Sequence, residues 1–308
     1  MADTFDVTVI TCNAAGGKPA RESDPRVLGA VLASYEPDFI VLQELTVCRC
    51  GDVTCLDTLG TLNSFVGLAK DGSGRRYKAL YRASVDTQRH RVNPNKIMPD
   101  GRGPKWQREP FVGHQFAAQG NGFLVHPRWK TGRLQVVPLF TPPKFQGDRD
   151  TEPRELLLLR VSRRDDPTVC LRMACTHLTT TVREHKDEAE CGDAERMRQE
   201  QAAKAARALS PIIESGERVL LGGDFNSESE SAELAPLRDL RALVPATKRC
   251  PDHHKDLGTH IRRSRFIDLI WAGPRRQVKV LECRLLVGDT LEAATDHRPV
   301  LARLRFTL

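Results

Sequence analysis

Asn13, Glu44, His177, Asp224, Asn226, Asp268 and the adjacent pair Asp296 and His297 share one setting. Each stands at or just beyond the end of an apolar run, except Asp268, which is read as lying within its run. Carboxylate and amide oxygens bind hard divalent cations, and imidazole moves protons near neutral pH or donates to a phosphoryl oxygen. Any one of these residues has a local explanation, since Asp and Asn end strands and cap turns by bonding their own backbone. So many repetitions in one chain point instead to strand ends that converge on a cation and a phosphate.

The elements that must position them are legible around these residues. Phe5 to Thr11 alternates and is β-branched, which predicts a strand feeding Asn13. Asp24 and Pro25 suit the first positions of a helix, and Val27, Leu28, Val31 and Leu32 continue it until Pro37. Phe39 to Leu42 is a buried-strand run that delivers Gln43 and Glu44. From Cys48 to about Gln119 the pattern dissolves into Gly, Pro, Arg and Lys, with a strand near Tyr77 to Arg82, so a long insertion is expected. Strands return at 122–126, 134–139, 155–161 and 168–176, a meander ending in His177. A helical region over 184–213 is expected to begin after Gly192. Arg218 to Leu221 leads into Gly-Gly-Asp224-Phe-Asn226, and strands are expected at 266–271, 278–286 and 299–306.

The chain has 308 residues, 40% hydrophobic and 28% charged, which excludes disordered and collagenous classes. Its longest apolar candidate, Leu156 to Leu159, is strand-length and far short of a membrane span. The opening residues lack a basic, apolar and cleavage-site succession, and the nine scattered cysteines read as reduced thiols, so a cytoplasmic protein is expected. Cys48, Cys50 and Cys55 form one cluster that would hold zinc only with a fourth ligand such as Cys191, Cys250 or His253. His253 and His254 read as a solvated loop. The net charge is +7, yet 70–130 holds 13 Lys and Arg against 4 Asp and Glu, which leaves the remainder near −2. That concentration suits a polyanion or, more plainly, a soluble basic loop.

The motifs taken in order resemble the endonuclease/exonuclease/phosphatase superfamily with the deoxyribonuclease I-like fold. They are Ile10-Thr-Cys-Asn13, Val41-Leu-Gln-Glu44, Gly122-Phe-Leu-Val, Ala174-Cys-Thr-His177-Leu, a helix with Arg196 and Gln201, Leu221-Gly-Gly-Asp-Phe-Asn226, Arg265-Phe-Ile-Asp268 and Thr295-Asp-His297. The resemblance spans nearly the whole chain. It implies a single α/β (α+β) domain over 1–308, with a basic insertion at about 48–119, built as a four-layer sandwich of two mixed, mainly antiparallel sheets flanked by helices.

The same resemblance implies Mg2+ or Mn2+ held by Glu44, Asn13 and Asp296. It further implies Asp224 as the group that orients or deprotonates water, Asn226 on a phosphate oxygen, His297 oriented by Asp268, and His177 as a second imidazole. One departure stands out: the second acidic residue that many relatives carry two positions after this Asn is Ala15 here.

Relatives of this kind hydrolyse several classes of phosphate ester, so the substrate must be read from this chain. Arg89, Arg91, Arg102, Lys105 and Trp106 belong to a basic segment with interleaved aromatics, suited to phosphate neutralisation and base stacking. A nuclease with a nucleic-acid partner is therefore expected. The alternatives are a phosphoinositide or phospholipid phosphatase or phosphodiesterase docked on an anionic membrane, and a catalytically silent nucleic-acid-binding module. No protein partner or oligomeric state follows from the sequence.

Overall fold

Burial on both faces makes the first two strands central. In β1 (Thr4–Asn13), Phe5, Val7 and Val9 enter one core while Ile10 and Cys12 enter another. In β2 (Phe39–Cys50), Phe39 and Val41 likewise oppose Ile40 and Leu42. The computed structural model describes residues 3–15, 24–66, 77–86, 116–142, 152–181, 184, 187–240 and 242–308.

Between these strands lies α1 (Pro25–Ala33), which starts where Asp24 accepts from the Arg26 amide at 2.9 Å. Its Leu28 and Leu32 are buried beside Ile10, Ile40 and Leu42, together with Leu62 of α2 (Thr58–Val66). Truncating either leucine to alanine is expected to cost about 2–5 kcal/mol.

The remaining strands are β3 (Val53–Asp57), β4 (Lys78–Asp86), β5 (Phe116–Val125), β6 (Trp129–Phe140), β7 (Arg154–Arg163), β8 (Cys170–His177), β9 (Val219–Asp224), β10 (Val244–Pro245), β11 (Asp268–Gly273), β12 (Val278–Leu285) and β13 (Val300–Thr307). One sheet has the order β12-β13-β1-β2-β5-β4, with β3 paired to β2. The other has the order β10-β11-β9-β8-β7-β6. Only β1–β2 and β8–β9 are parallel among the described pairs.

The sheets pack face to face through Val41, Phe123, Leu157, Leu220 and Ile270. The long helix α3 (Glu188–Glu214) covers the outer face of the second sheet with Ala202, Ala205 and Leu209, and α1 and α2 cover the first. The result is the four-layer α/β sandwich that the family resemblance implies. Among the described residues, no helix is long and apolar enough to cross a membrane.

Several expectations change. After Cys48, β3 and α2 follow β2 directly where no element was expected, and β4, paired with β5, occupies the place of the strand expected near Tyr77 to Arg82. Helix α3 begins at Glu188 and runs through the exposed Gly192, whose low propensity the 27-residue helix tolerates. Asp268 is the first residue of β11 rather than an interior one. His253 and His254 sit on a short helix (Asp252–Leu257), where His254 Nδ1 accepts from the Leu285 amide at 3.3 Å. Cys48 is buried with Val85 and Ala117 while Cys50 is exposed, and the side chain of Cys55 lies outside the described residues.

Candidate active site

Strand register brings the second sheet's candidates into one row. His177 ends β8 opposite Asp224 at the end of β9, and Asp224 in turn faces Asp268 at the start of β11. This close pairing requires glycine before Asp224, since a Cβ on Gly223 would stand 2.1 Å from the Thr176 carbonyl oxygen. In the first sheet, Asn13 pairs with Gln43, and Glu44 follows at once.

Glu44 occupies a bulge. Leu42 pairs with Gly122 and Leu45 with Gly120, so Gln43 and Glu44 oppose the single residue Asn121. A second irregularity, at Ser84, lies on the other side of β5. Glu44 adopts φ 53° and Asn226 φ 50°, left-handed conformations that side chains other than glycine seldom take. Bulges and such conformations re-aim side chains at the cost of local strain. Here they turn Glu44 into a narrow polar recess lined also by His177, Ser84, Asn121, Glu152 and Arg154.

Hydrogen bonds tie the two sheets together at this end. Asn13 Nδ2 donates to Asp224 Oδ2 at 3.0 Å, and His177 Nε2 lies 3.6 Å from the same oxygen. The other Asp224 oxygen accepts from the Asn226 amide at 2.9 Å, while Asn226 Nδ2 donates to the Leu178 carbonyl at 3.0 Å. Thr295 Oγ1 donates to the Asn13 carbonyl at 3.1 Å and accepts from the His297 amide at 3.2 Å. His297 Nδ1 and Asp268 Oδ2 are 2.7 Å apart and almost wholly buried. The loops are braced from behind by α3. Gln201 holds Thr179 through two bonds, and the buried Arg198 joins Glu184 at 2.8 Å and Glu233 at 2.9 Å. Arg196, singled out in the sequence, is exposed and pairs with Asp193.

Electrostatics sort the imidazoles. Burial pulls His297 down, but Asp268, Asp224 and Asp296 together outweigh it and raise its pKa to about 10, so it is cationic at neutral pH. His260 lies beside it, with ring centroids 4.9 Å apart, and burial together with that neighbouring charge lowers its pKa to about 4. One charged and one neutral imidazole therefore stand side by side.

Of the sequence-derived candidates, Asn13, His177, Asp224, Asn226, Asp268 and His297 form one bonded cluster. Asp296 lies at its margin, its carboxylate within 4.8 Å of nitrogens of His260 and His297. Glu44 shares the recess with His177. Arg89, Arg91, Arg102, Lys105 and Trp106 lie outside the described residues.

Sequence reasoning missed His260 and the buried pair Arg154 and Glu152, 3.1 Å apart. The Glu-Pro-Arg-Glu run ahead of four leucines was a usable signal for the pair; His260, in an irregular loop, offered none. The donor set fits a hard divalent cation. Among the described residues, the ligand atoms that lie within 4.8 Å of one another are those of Asp224, Asp268 and His297 and those of Asp296, His260 and His297, and the buried Asp268 Oδ1 has no hydrogen-bond partner.

Residues 10–297 match the Endonuclease/Exonuclease/phosphatase family. No curated protein matches the sequence. Among solved structures, an endonuclease/exonuclease/phosphatase from Beutenbergia cavernae is 19% identical with a TM-score of 0.67, covering 98% of this chain and 72% of its own. The human Nocturnin catalytic domain with bound sulfate is 17% identical with a TM-score of 0.61, covering 99% and 98%. Truncated Caenorhabditis elegans TDP2 is 16% identical with a TM-score of 0.57, covering 99% and 98%. At these identities the likeness is one of fold.

Proposed function

This chain belongs to the endonuclease/exonuclease/phosphatase family, and on that premise we propose that it is a divalent-metal-dependent phosphodiester hydrolase acting on nucleic acid. The observation that carries the reading is the in-register row of His177, Asp224 and Asp268 with the buried His297–Asp268 pair behind it.

Glu44, Asn13 and Asp296 would hold Mg2+ or Mn2+, which supplies a Lewis acid at a phosphoryl oxygen. Asp224 accepts the proton of the attacking water, its carboxylate fixed by Asn13 Nδ2 and the Asn226 amide. His297 stays protonated and donates toward the phosphoryl oxygens as they gain negative charge, while Asp268 fixes the ring's orientation. His177 faces the leaving group from beside Asp224. Asn226 keeps one amide hydrogen beyond its bond to Leu178, available to a phosphate oxygen. Arg154 belongs to the same recess and would meet a second phosphate. The basic segment with Arg89, Arg91, Arg102, Lys105 and Trp106 is assigned to the nucleic-acid backbone and an exposed base.

The test is hydrolysis of single- and double-stranded DNA, RNA, a phosphoinositide and sphingomyelin, with Mg2+ or Mn2+ and with chelator, beside Asp224→Ala. Metal-dependent cleavage of a nucleic acid that the variant lacks is the expected result. Turnover of a lipid alone would move the basic segment to membrane docking, and silence across the panel would overturn the hydrolase reading.

A further inference from the structure

At the end of the sandwich opposite the candidate active site, the edges of the two sheets leave a groove of about 360 Å³. Its position follows from strand direction. Val300 of β13 lies just beyond His297, whereas Val278 of β12 pairs with Phe306, six residues further along β13. At ~3.3 Å per residue the groove is about 20 Å from the catalytic cluster. Nothing in the catalytic reading uses it.

Three cations border this groove, Lys248 and Arg249 after β10 and Arg275 after β11, while Lys279 lies between Val278 and Val280 on β12 with its side chain on the opposite face of that strand. No carboxylate is among the described residues that line it. The nearby acids on β1 and β12 are already committed, because Asp6 takes Arg305 at 2.7 and 2.8 Å, and Glu282 takes Arg284 and Arg303. The floor is apolar, made by the half-buried Val244 and Val278 and the buried Val280.

We propose that this groove is a second, non-catalytic phosphate site that takes a nucleotide, its phosphates on Lys248, Arg249 and Arg275 and its base on the valine floor. The volume lies at the lower end of the range for small-ligand pockets, about 300–1,000 Å³. Guanidinium groups grip phosphate through paired hydrogen bonds, lysines add point charge, and clustered cations without counterions concentrate anions locally. A planar base covers apolar floor that would otherwise face water. The nucleotide is either free or the end of a polymer, and the chemistry recognised is the same.

The experiment is calorimetric titration of the whole chain with ATP, tripolyphosphate, and an oligonucleotide with and without a 5′ phosphate, all in chelator so that a metal-loaded active site takes no part. It is repeated with Lys248→Ala, Arg249→Ala and Arg275→Ala combined, three exposed positions, with a matching unfolding curve as the control for folding. The expected result is ATP binding that exceeds tripolyphosphate and weakens at least tenfold in the combined variant, with any metal-dependent hydrolysis unchanged. If the tenfold loss falls on the 5′-phosphorylated oligonucleotide instead, the polymer end is the source. Equal affinity for ATP and tripolyphosphate would remove the base from the assignment. Binding that the variant retains, or no saturable binding by any probe, would overturn the site altogether.

Discussion

Asp268→Asn isolates the charge that holds His297. The substitution keeps the shape of the side chain but removes the anion 2.7 Å from Nδ1, where neither partner exceeds 8% exposure. Breaking a buried ion pair by removing one member costs about 3–5 kcal/mol, since the survivor stays desolvated and unpaired. The pH dependence has a definite sign. His297 titrates near 10 in the folded protein against 6.5 when unperturbed, so its contribution to stability is complete below pH 6.5 and is lost as pH rises through about 10. The stability difference between wild type and Asp268→Asn should therefore be largest near pH 6 and shrink toward pH 10. Denaturant unfolding in chelator at pH 6, 7.5 and 9 measures it. A difference that is negligible at pH 6, or independent of pH, would refute the account of His297 as a buried cation held by carboxylates.

Other outcomes follow from the same geometry. Glu184→Gln should lower stability by about 3 kcal/mol at neutral pH, because Arg198 is buried beside it. Burial works against the Glu184 carboxylate, but Arg198 outweighs it and lowers its pKa, so the loss should fade below pH 4.5, as unfolding curves at pH 7 and pH 4 would reveal. Gly223→Ala places a Cβ 2.1 Å from the Thr176 oxygen, and its thermal unfolding should show a loss of several kcal/mol or no cooperative transition. Glu44→Gln should leave folding intact and weaken Mn2+ binding at least tenfold in a calorimetric or electron-resonance titration.

Much of the fold was legible because its strands obey simple periodicity. Phe5 to Thr11 and Phe39 to Leu42 became central strands, and the Asp24–Pro25 start of α1 lies at its predicted position. The failures have physical causes. Val53–Asp57 and Thr58–Val66 are short elements whose stability comes from packing on β2 and α1, which local pattern does not carry. The helix is expected only after Gly192, although a helix of 27 residues tolerates one exposed unfavourable residue near its start.

At the site, residue types marked Asp224, His297 and Asp268, but their assembly depends on the register of distant strands. His177 and Asp224 are neighbours only because β8 and β9 run parallel, 47 positions apart in the chain. The bulge that re-aims Glu44 arises from pairing with β5, and His260 reaches His297 through a loop without periodicity.

The central claim is that this strand-end cluster hydrolyses a phosphodiester, and turnover of Asp224→Ala and His297→Ala beside wild type with saturating Mg2+ or Mn2+ tests it most directly. On whichever substrate wild type cleaves, each variant should fall by about 10²–10⁴-fold while its unfolding stays cooperative, as expected when a general base or a charge-stabilising donor is removed. Variants that fold and turn over at wild-type rates would contradict the account and move the chemistry elsewhere on the chain.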